Sequence, residues 1–430
     1  MDYQHRLLRA IPGGAHTYSR GFDQFPVNAP QILERGKGAY VYDSSGRRFL
    51  DYGMALRAVT VGYAEDEIDN AAIEEIRRGN NLTRPSMIEL QAAEKIIEHI
   101  DSVEMVKFTK NGSTAVTAAV KLARAFTGRD FVARCAEHPF FSFDDWFIGS
   151  TVIPRGTTAE NRELTKSFHY NDLESLKKLV GEFPNKFACV VLEAATTEDP
   201  APGFLEGVQK LCHQNGIVFI LDEMITGFRW DLKGAQHKYG IKPDLSTFGK
   251  AMANGYSLAC VGGRRDIMQL GSIEFEGAER VFLLSSTHGA EMSSLGAFVA
   301  TTNFLEKNGV VEHMYEYGAD LKQLFATLSR DHGLESNFVF GGVECSPYFQ
   351  LLDSNGTISL QLRTLFVQEM IKNGVLMPWI ALCHRHGVAE LEITQEAADK
   401  SFRVMRKAID GGIERYLEGP SIKPVFRKFN

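Results

Sequence analysis

Short, uninterrupted apolar runs separated by helix-length amphipathic segments are the feature that most constrains how this chain can fold. A strand that is apolar throughout is buried on both faces, as in a mostly parallel sheet covered by helices. The predicted strands are Met105–Thr109, Phe187–Glu193, Ile217–Asp222 and Leu258–Gly263, and the predicted helices are 87–100, 114–126 and 205–214. The pattern therefore predicts an α/β fold.

The chain has 430 residues, which is too long for one simple core, so we expect two domains. The predicted divisions are an N-terminal arm and hairpin over residues 1–55, a large domain over 56–310 and a C-terminal small domain over 311–430. Residues 38–51 alternate around a Ser-Gly turn and predict the hairpin. Beyond residue 310, predicted helices flank a few strands, which is typical of a smaller α+β domain; these helices are 311–330, 360–373 and 396–416.

Charge and cysteine usage exclude several classes of function. The net charge of −7 gives no reason to expect nucleic acid or an anionic membrane as a partner. No apolar stretch approaches 18 residues and the N-terminus has no signal-like core, so we expect a cytoplasmic protein. The six cysteines are scattered singly, which predicts reduced thiols. The run Cys383–His386 lacks a second ligand pair and predicts a loop rather than a zinc site.

Two residues point to a specific chemistry. Lys250 and Asp222 both lie where a short apolar run meets a polar loop, and ligands of parallel sheets collect at the carboxyl ends of strands. A lysine that forms a Schiff base and an aspartate that faces a ring nitrogen are what pyridoxal phosphate (PLP) requires. Taken alone, a surface lysine and a helix N-cap are the commoner explanation. The surrounding residues favour the PLP interpretation.

A candidate phosphate site lies in Thr109–Val116, between a predicted strand and a predicted helix. It holds Gly112, Ser113 and Thr114 where the helix begins. Helix N-termini offer unpaired N–H groups and a positive dipole end, and hydroxyl groups add donors. A plain Ser/Thr N-cap explains the same residues equally well.

The order of several motifs adds a family resemblance that covers nearly the whole chain. The chain resembles the class III PLP-dependent aminotransferases of fold type I, within them the glutamate-1-semialdehyde 2,1-aminomutase branch. The resemblance implies a seven-stranded, mostly parallel sheet in the large domain, and it joins the N-terminal arm to the small domain. The motifs that carry it are 11–22 (Ile-Pro-Gly-Gly-Ala-His-Thr-Tyr-Ser-Arg-Gly-Phe), 122–129, 221–229 (Leu-Asp-Glu-Met-Ile-Thr-Gly-Phe-Arg), 234–236, 243–250 (Pro-Asp-Leu-Ser-Thr-Phe-Gly-Lys) and 262–268.

The resemblance also implies a role for each matching residue. Lys250 is the Schiff-base lysine and proton-transfer base, and Asp222 is the ring-nitrogen partner. Thr287 reaches the phosphate of the neighbouring subunit's cofactor, which implies a homodimer with shared active sites. The other implied residues are Gly112, Ser113 and Thr114 at the phosphate, Phe140 stacked on the ring, Glu193 near the cofactor, Glu198 as a gate for the amino-donor carboxylate, and Arg20 at the substrate carboxylate.

Three departures from the family pattern leave the cofactor residues in place and change their surroundings. The phosphate loop reads Asn-Gly-Ser-Thr-Ala at 111–115 instead of Ser-Gly-Thr-Glu-Ala, the stacking segment reads Phe-Phe-Ser at 140–142 instead of Tyr-His-Gly, and Thr287 is followed by His-Gly-Ala-Glu. The small residue Ser142 and the altered loop at 194–200 suggest a site for a different, larger acceptor.

These changes predict an aminotransferase that uses an amino acid, L-glutamate in the first instance, to aminate an aldehyde or ketone. Variants with this phosphate loop resemble enzymes of surface-polysaccharide biosynthesis. One acceptor is therefore 8-oxo-3-deoxy-manno-octulosonate, whose product is the 8-amino-3,8-dideoxy sugar acid of lipopolysaccharide. The alternatives are glutamate-1-semialdehyde 2,1-aminomutase of tetrapyrrole synthesis and a non-catalytic binding protein with a PLP fold.

Overall fold

The computed structural model describes residues 2–274, 276–277, 279–289 and 291–430. Two compact units are formed: a large unit, Asp66–Val311, and a small unit, Met1–Glu65 with Glu312–Asn430. The strands are β1 Leu33–Lys37, β2 Tyr40–Asp43, β3 Arg48–Asp51, β4 Met105–Thr109, β5 Phe131–Cys135, β6 Thr165–Phe168, β7 Phe187–Glu193, β8 Val218–Asp222, β9 Leu245–Phe248, β10 Ala259–Gly263, β11 Phe338–Gly341, β12 Tyr348–Leu351 and β13 Val375–Leu376. The α-helices are α1 Tyr3–Ala10, α2 Met54–Arg57, α3 Asp66–Arg77, α4 Met87–His99, α5 Gly112–Thr127, α6 Asp145–Ile148, α7 Ala159–Leu164, α8 Leu173–Glu182, α9 Phe204–Gln214, α10 Ala235–Lys238, α11 Arg265–Met268, α12 Met292–Lys307, α13 Val310–Asp331, α14 Leu360–Lys372 and α15 Val388–Gly411.

The large unit is built on a seven-stranded sheet in the order β4-β10-β9-β8-β7-β5-β6. β9, β8, β7, β5 and β6 run parallel, and β10 is antiparallel to both of its neighbours. Every residue of β7, β8, β9 and β10 is buried, as the uninterrupted apolar runs predict. The predicted α/β fold is therefore confirmed, with a sheet of mixed direction.

Strand register brings three polar side chains to one end of the sheet. Glu193 on β7 is paired with Asp222 on β8, and Asp222 is paired with Thr247 on β9. Because these strands are parallel, their carboxyl ends coincide, which is where α/β sheets bind ligands. All three side chains are buried, so this end of the sheet is polar but shielded from water.

The small unit contains a four-stranded sheet, β1-β2-β3-β13, and the hairpin β11–β12. β2 and β3 are antiparallel, which confirms the hairpin predicted within residues 38–51. The core of the small unit is rich in aromatic side chains in tilted, stacked and edge-on contacts. This arrangement adds to the stability that apolar burial provides. These side chains are Phe325, Phe338, Phe340, Phe349, Phe366 and Phe402.

The last helix differs from its predicted position. The prediction placed it at 396–416, whereas α15 begins at Val388 and ends at Gly411. The backbone N–H of Gly387 donates to the carboxylate of Glu390, which satisfies a donor at the helix start. Gly412 has a φ of 96°, a conformation that interrupts the helix, and residues after it form only a short 3-10 turn.

Cysteines and helix hydropathy add two general observations. All six cysteines are buried and none forms a disulfide in the described residues. Across the same residues, every helix is either too short or too polar to cross a bilayer.

The imidazole of His386, in the segment predicted as a loop, accepts the N–H of Cys383 through Nδ1. No cluster of three metal-ligating side chains occurs in the described ranges.

Candidate active site

Asp222 is the last residue of β8, and its carboxylate is buried. Oδ1 accepts the backbone N–H of Met224 at 2.9 Å and the hydroxyl of Thr247 at 3.1 Å. Burial raises the pKa of Asp222, and the charge of Lys250 opposes that rise. The structure thus places the two residues of the predicted pair within electrostatic reach of each other, in a setting where an ion pair is only weakly screened.

Lys250 follows β9 after a single residue and opens the 3-10 turn Lys250–Ala253. Its backbone adopts a left-handed φ of 43°, which is uncommon outside glycine and is found preferentially at functional sites. The preceding Gly249 permits a close approach to Met224, because a Cβ there would lie 2.6 Å from Sδ of Met224. The lysine is therefore held by an unusual backbone turn against the segment that follows Asp222.

The predicted phosphate loop meets the same methionine. A Cβ on Gly112, the first residue of α5, would lie 2.7 Å from Sδ of Met224. The side chain of Asn111 caps α5 by accepting the N–H and hydroxyl of Thr114 at 2.9 and 3.0 Å. The first N–H groups of a helix have no acceptor within it, so those of Gly112 and Ser113 are suited to an anion. Met224 thus connects the phosphate loop with the Asp222 and Lys250 segments.

The segment around Phe140, predicted to cover the cofactor ring, is hydrogen-bonded to the phosphate loop. The N–H of Phe143 donates to the Ser113 hydroxyl at 3.2 Å, and the Ser142 hydroxyl donates to the Ser113 carbonyl at 3.3 Å. Phe140 is 46% exposed. Ser142 is fully buried, and its hydroxyl also contacts that of Thr117 at 3.0 Å. The Ser142 side chain therefore joins two segments of the protein, and a site for a larger acceptor stays a prediction.

Glu193 ends β7 and is buried beside a histidine that the sequence did not single out. Nδ1 of His138 accepts the backbone N–H of Glu193 at 2.9 Å. Burial lowers the pKa of His138 to about 4, so the ring is neutral near pH 7 and its proton is on Nε2. Nε2 has no hydrogen-bond partner among the described residues. A buried donor next to Glu193 is thus available to a bound molecule or a water.

The loop that carries Glu198 is fixed at both ends. The Tyr170 hydroxyl donates to the carbonyl of Ala194 at 2.7 Å. The Asn171 side chain donates to the carbonyl of Asp199 at 3.2 Å and accepts the N–H of Ala201 at 2.7 Å. Glu198 itself is exposed, between these anchors. The freedom of the loop is therefore confined to the few residues around Glu198.

Two predicted residues lie outside this cluster of contacts. Thr287 is exposed, and its carbonyl accepts the side-chain N–H of Asn81 at 2.9 Å. Arg20 belongs to the small unit, where it is the exposed last residue of the 3-10 turn Tyr18–Arg20. The roles of both residues stay predictions.

Comparison with known proteins shows the family. The profile of the family "Aminotransferase class-III" matches residues 23–408. The chain belongs to the class III aminotransferases. A 3-aminobutyryl-CoA aminotransferase of Cloacimonas acidaminovorans (strain Evry) is 32% identical over 419 residues, covering 95% of this chain and 98% of that protein. The resemblance to the class III family is thus confirmed, whereas membership of the aminomutase branch stays a prediction; this aminotransferase is an enzyme of fold type I whose cofactor is PLP.

Solved structures agree with the fold. The FumI protein of Sphingopyxis sp. MTA144, in its PLP internal aldimine form, is similar with a TM-score of 0.86 and 26% identity, covering 95% of this chain and 97% of that one. A glutamate-1-semialdehyde-aminomutase of Pseudomonas aeruginosa PAO1 has a TM-score of 0.82 and 19% identity, covering 94% of each chain. At that identity the likeness to the aminomutase concerns the fold alone.

Three observations support the binding of a PLP cofactor by the residues of this aminotransferase. A buried carboxylate lies beside a lysine, a helix N-terminus suited to an anion adjoins both, and a buried imidazole N–H has no partner in the described protein. The first would serve as covalent anchor and ring-nitrogen partner, and the second would serve as a phosphate site. The third is next to Glu193, the other residue predicted near the ring.

Glu223 is a further residue of the site that the sequence analysis missed. Its buried carboxylate accepts four hydrogen bonds, from the backbone N–H groups of Ala235 and Gln236, the Gln236 amide and the Thr226 hydroxyl. A Cβ on Gly234 would lie 2.7 Å from Oε1. Glu223 therefore holds the segment that continues from Asp222. The position of Glu223 next to Asp222 in the sequence does not reveal this role, because all of its hydrogen-bond partners lie at least three residues further along the chain.

We predict that Glu223→Gln destabilises the aminotransferase by about 2–4 kcal/mol. The side-chain NH2 of glutamine would point at hydrogen-bond donors and leave buried N–H groups without an acceptor. Chemical denaturation of the purified protein measures the loss. Glu182→Gln is the control, since Glu182 is exposed at the end of α8. Equal unfolding free energies for the two variants would contradict the role assigned to Glu223.

Proposed function

We propose that this aminotransferase moves the amino group of an amino acid, L-glutamate in the first instance, to an aldehyde or ketone acceptor at Lys250. The buried carboxylate of Asp222 beside Lys250 is the observation that carries the proposal. Burial alone disfavours a charged carboxylate, so Asp222 needs a cationic neighbour to remain ionised. The protonated ring nitrogen of PLP, held next to Asp222, also keeps the carboxylate ionised. The burial of Asp222 therefore serves catalysis.

Each residue of the proposed site has a defined task. PLP, when bound, supplies the electron sink that stabilises negative charge on the substrate carbon. Nζ of Lys250 provides the covalent anchor and carries the proton between the two carbon atoms of the transfer. Asp222, oriented by Thr247, holds the positive ring nitrogen, while the N–H groups of Gly112 and Ser113 bind phosphate.

The remaining proposed contacts are those of the ring and the substrate. We propose that Phe140 covers the ring, that the Thr114 hydroxyl assists at the phosphate, and that Glu193 lies near the cofactor. Arg20 is the proposed partner of the substrate carboxylate, since a guanidinium binds carboxylates in a bidentate manner. On this proposal Arg20→Gln raises KM for an acidic substrate more than it lowers kcat. We also propose the large unit as the PLP-binding domain, with the N-terminal arm in the small domain.

Two acceptor classes follow from different observations. The altered phosphate loop at 111–115 favours a sugar-acid aldehyde such as 8-oxo-3-deoxy-manno-octulosonate, with a role in lipopolysaccharide synthesis. The 32% identity to a 3-aminobutyryl-CoA aminotransferase favours a 3-oxoacyl thioester. Both present a carbonyl group that an amino-loaded enzyme can aminate. Offering each acceptor to the glutamate-treated protein, and following which one restores the starting spectrum, separates them.

We predict that L-glutamate alone changes the spectrum of the PLP-bound enzyme and releases 2-oxoglutarate, because transamination proceeds in two half-reactions. Lys250→Ala should abolish turnover and the absorbance of the lysine-bound cofactor. Lys178→Ala, an exposed lysine on α8, is the control. If glutamate leaves the spectrum unchanged while glutamate-1-semialdehyde is isomerised efficiently, the protein is an aminomutase instead.

We propose a homodimer with shared sites, supported by the exposure of Thr287 at a position that the family resemblance assigns to the partner's phosphate. We predict that Thr287→Val weakens PLP binding about tenfold or more, the range of a hydrogen bond to a charged group. The neighbouring Ser285→Ala is the control. Equilibrium dialysis gives the affinity and sedimentation the mass. A monomer that binds PLP at full affinity would exclude the shared site.

We propose that Glu198 gates the donor carboxylate, and that Asn171 limits its movement through the bonds to Asp199 and Ala201. Asn171→Gly removes these bonds and keeps the left-handed backbone, φ 59°. We predict a severalfold higher KM for glutamate with little change in affinity for PLP. Asn185→Gly is the matched control, because Asn185 is exposed and has a φ of 58°. Identical kinetics in the two variants would show that the anchor does not act on the gate.

A further inference from the structure

A cavity of about 270 Å³ lies in the small unit, between β12, α14 and the segment around Trp379. All of its lining residues belong to the small unit, and none is assigned to amino transfer above. Its walls are largely apolar, with Leu351, Val367 and Ile422 among them. Two cations, Arg363 and Lys423, also line it, whereas none of the described lining residues is an Asp or Glu.

Arg363 is the unusual member of this lining. It is half-buried on α14, where Nη2 donates to the carbonyl of Pro378 at 2.7 Å and the guanidinium carbon lies 4.9 Å from the centre of the Phe349 ring. Burial lowers the pKa of Arg363. No ion pair with an acidic side chain offsets this among the residues that the structure describes.

An arginine stays charged in proteins, so its partial burial without a counter-ion carries a desolvation cost that an anion would offset. The guanidinium has five N–H donors in a planar fork that matches a carboxylate. The single bond to Pro378 leaves most of that fork unused. Lys423, exposed at the edge, adds a second positive charge.

We propose that this cavity binds a small organic acid, with its carboxylate on Arg363 and its apolar body against Trp379 and Ile422. The apolar walls favour a carboxylate with a hydrocarbon or aromatic body over a free phosphate, which is strongly hydrated on all sides. The volume is just below the range of about 300–1,000 Å³ that is usual for drug-sized ligands, so the acid is small. None of the cavity's lining residues is one of those proposed above for amino transfer.

Benzoate, titrated into the PLP-bound enzyme, is a suitable probe. Trp379 is half-buried at the cavity, and the other two tryptophans, Trp146 and Trp230, are buried in the large unit. We therefore expect benzoate to change the tryptophan fluorescence and to release heat in a saturable manner. Trp379→Phe should remove the fluorescence change and keep most of the heat. Benzyl alcohol, which has a similar shape and no charge, should bind at least tenfold more weakly.

Substitutions at Arg363 and at control positions test where benzoate binds. Arg363→Gln should weaken benzoate binding at least tenfold, whereas Arg47→Gln should not, although Arg47 also lies over an aromatic ring, that of Phe49, at 4.3 Å. Arg20→Gln should leave benzoate binding unchanged, which separates this cavity from the carboxylate contact proposed for amino transfer. Arg363→Lys keeps the charge without the fork and tests the same contact if the glutamine variant fails to fold; it should bind several times more weakly.

Four results would overturn the proposal. The first is wild-type benzoate affinity in both Arg363 variants. The second is equal binding of benzyl alcohol and benzoate. The third is the absence of saturable benzoate binding at millimolar concentrations, and the fourth is displacement of benzoate by equimolar inorganic phosphate, since either of these would exclude a site built for an apolar carboxylate.

Discussion

The buried carboxylate of Asp222 is the constraint on which the large unit of this aminotransferase is organised. A carboxylate taken out of water must be given donors and positive charge, and each of them comes from a different part of the chain. Thr247 supplies a hydroxyl from the next strand, Met224 an N–H from the following turn, and Lys250 a charge. The parallel register of β7, β8 and β9 brings these groups to one end of the sheet.

Packing around Met224 explains how distant segments keep their relative positions. Glycines at the start of α5 and just before Lys250 both lie against its sulfur, where any larger residue would collide. The phosphate loop, the Asp222 turn and the Lys250 turn therefore share one contact point. A methionine suits that place, because its flexible side chain fills irregular gaps between backbone segments.

Much of the fold could be predicted from sequence, because burial on both faces leaves uninterrupted apolar runs that are visible without any alignment. The positions of Lys250 and Asp222 after such runs were visible for the same reason, and the family motifs around them indicated the pairing. The contacts of Ser142 and His138 were not. They depend on which loops meet after folding, and a small polar residue in a loop looks the same whether it faces a substrate or joins two segments. The start of α15 was missed because Gly387 carries no capping side chain and its own N–H bonds to Glu390.

Anchoring of the 194–201 loop by Tyr170 and Asn171 has a consequence for how related enzymes diverge. The bonds reach only main-chain atoms of the loop, at Ala194, Asp199 and Ala201. Main-chain atoms are present whatever the side chains are, so the residues between the anchors can be exchanged without loss of the attachment. The stretch 196–198, whose side chains are not buried, is therefore a segment where the sequence can vary while the anchored main chain keeps its position.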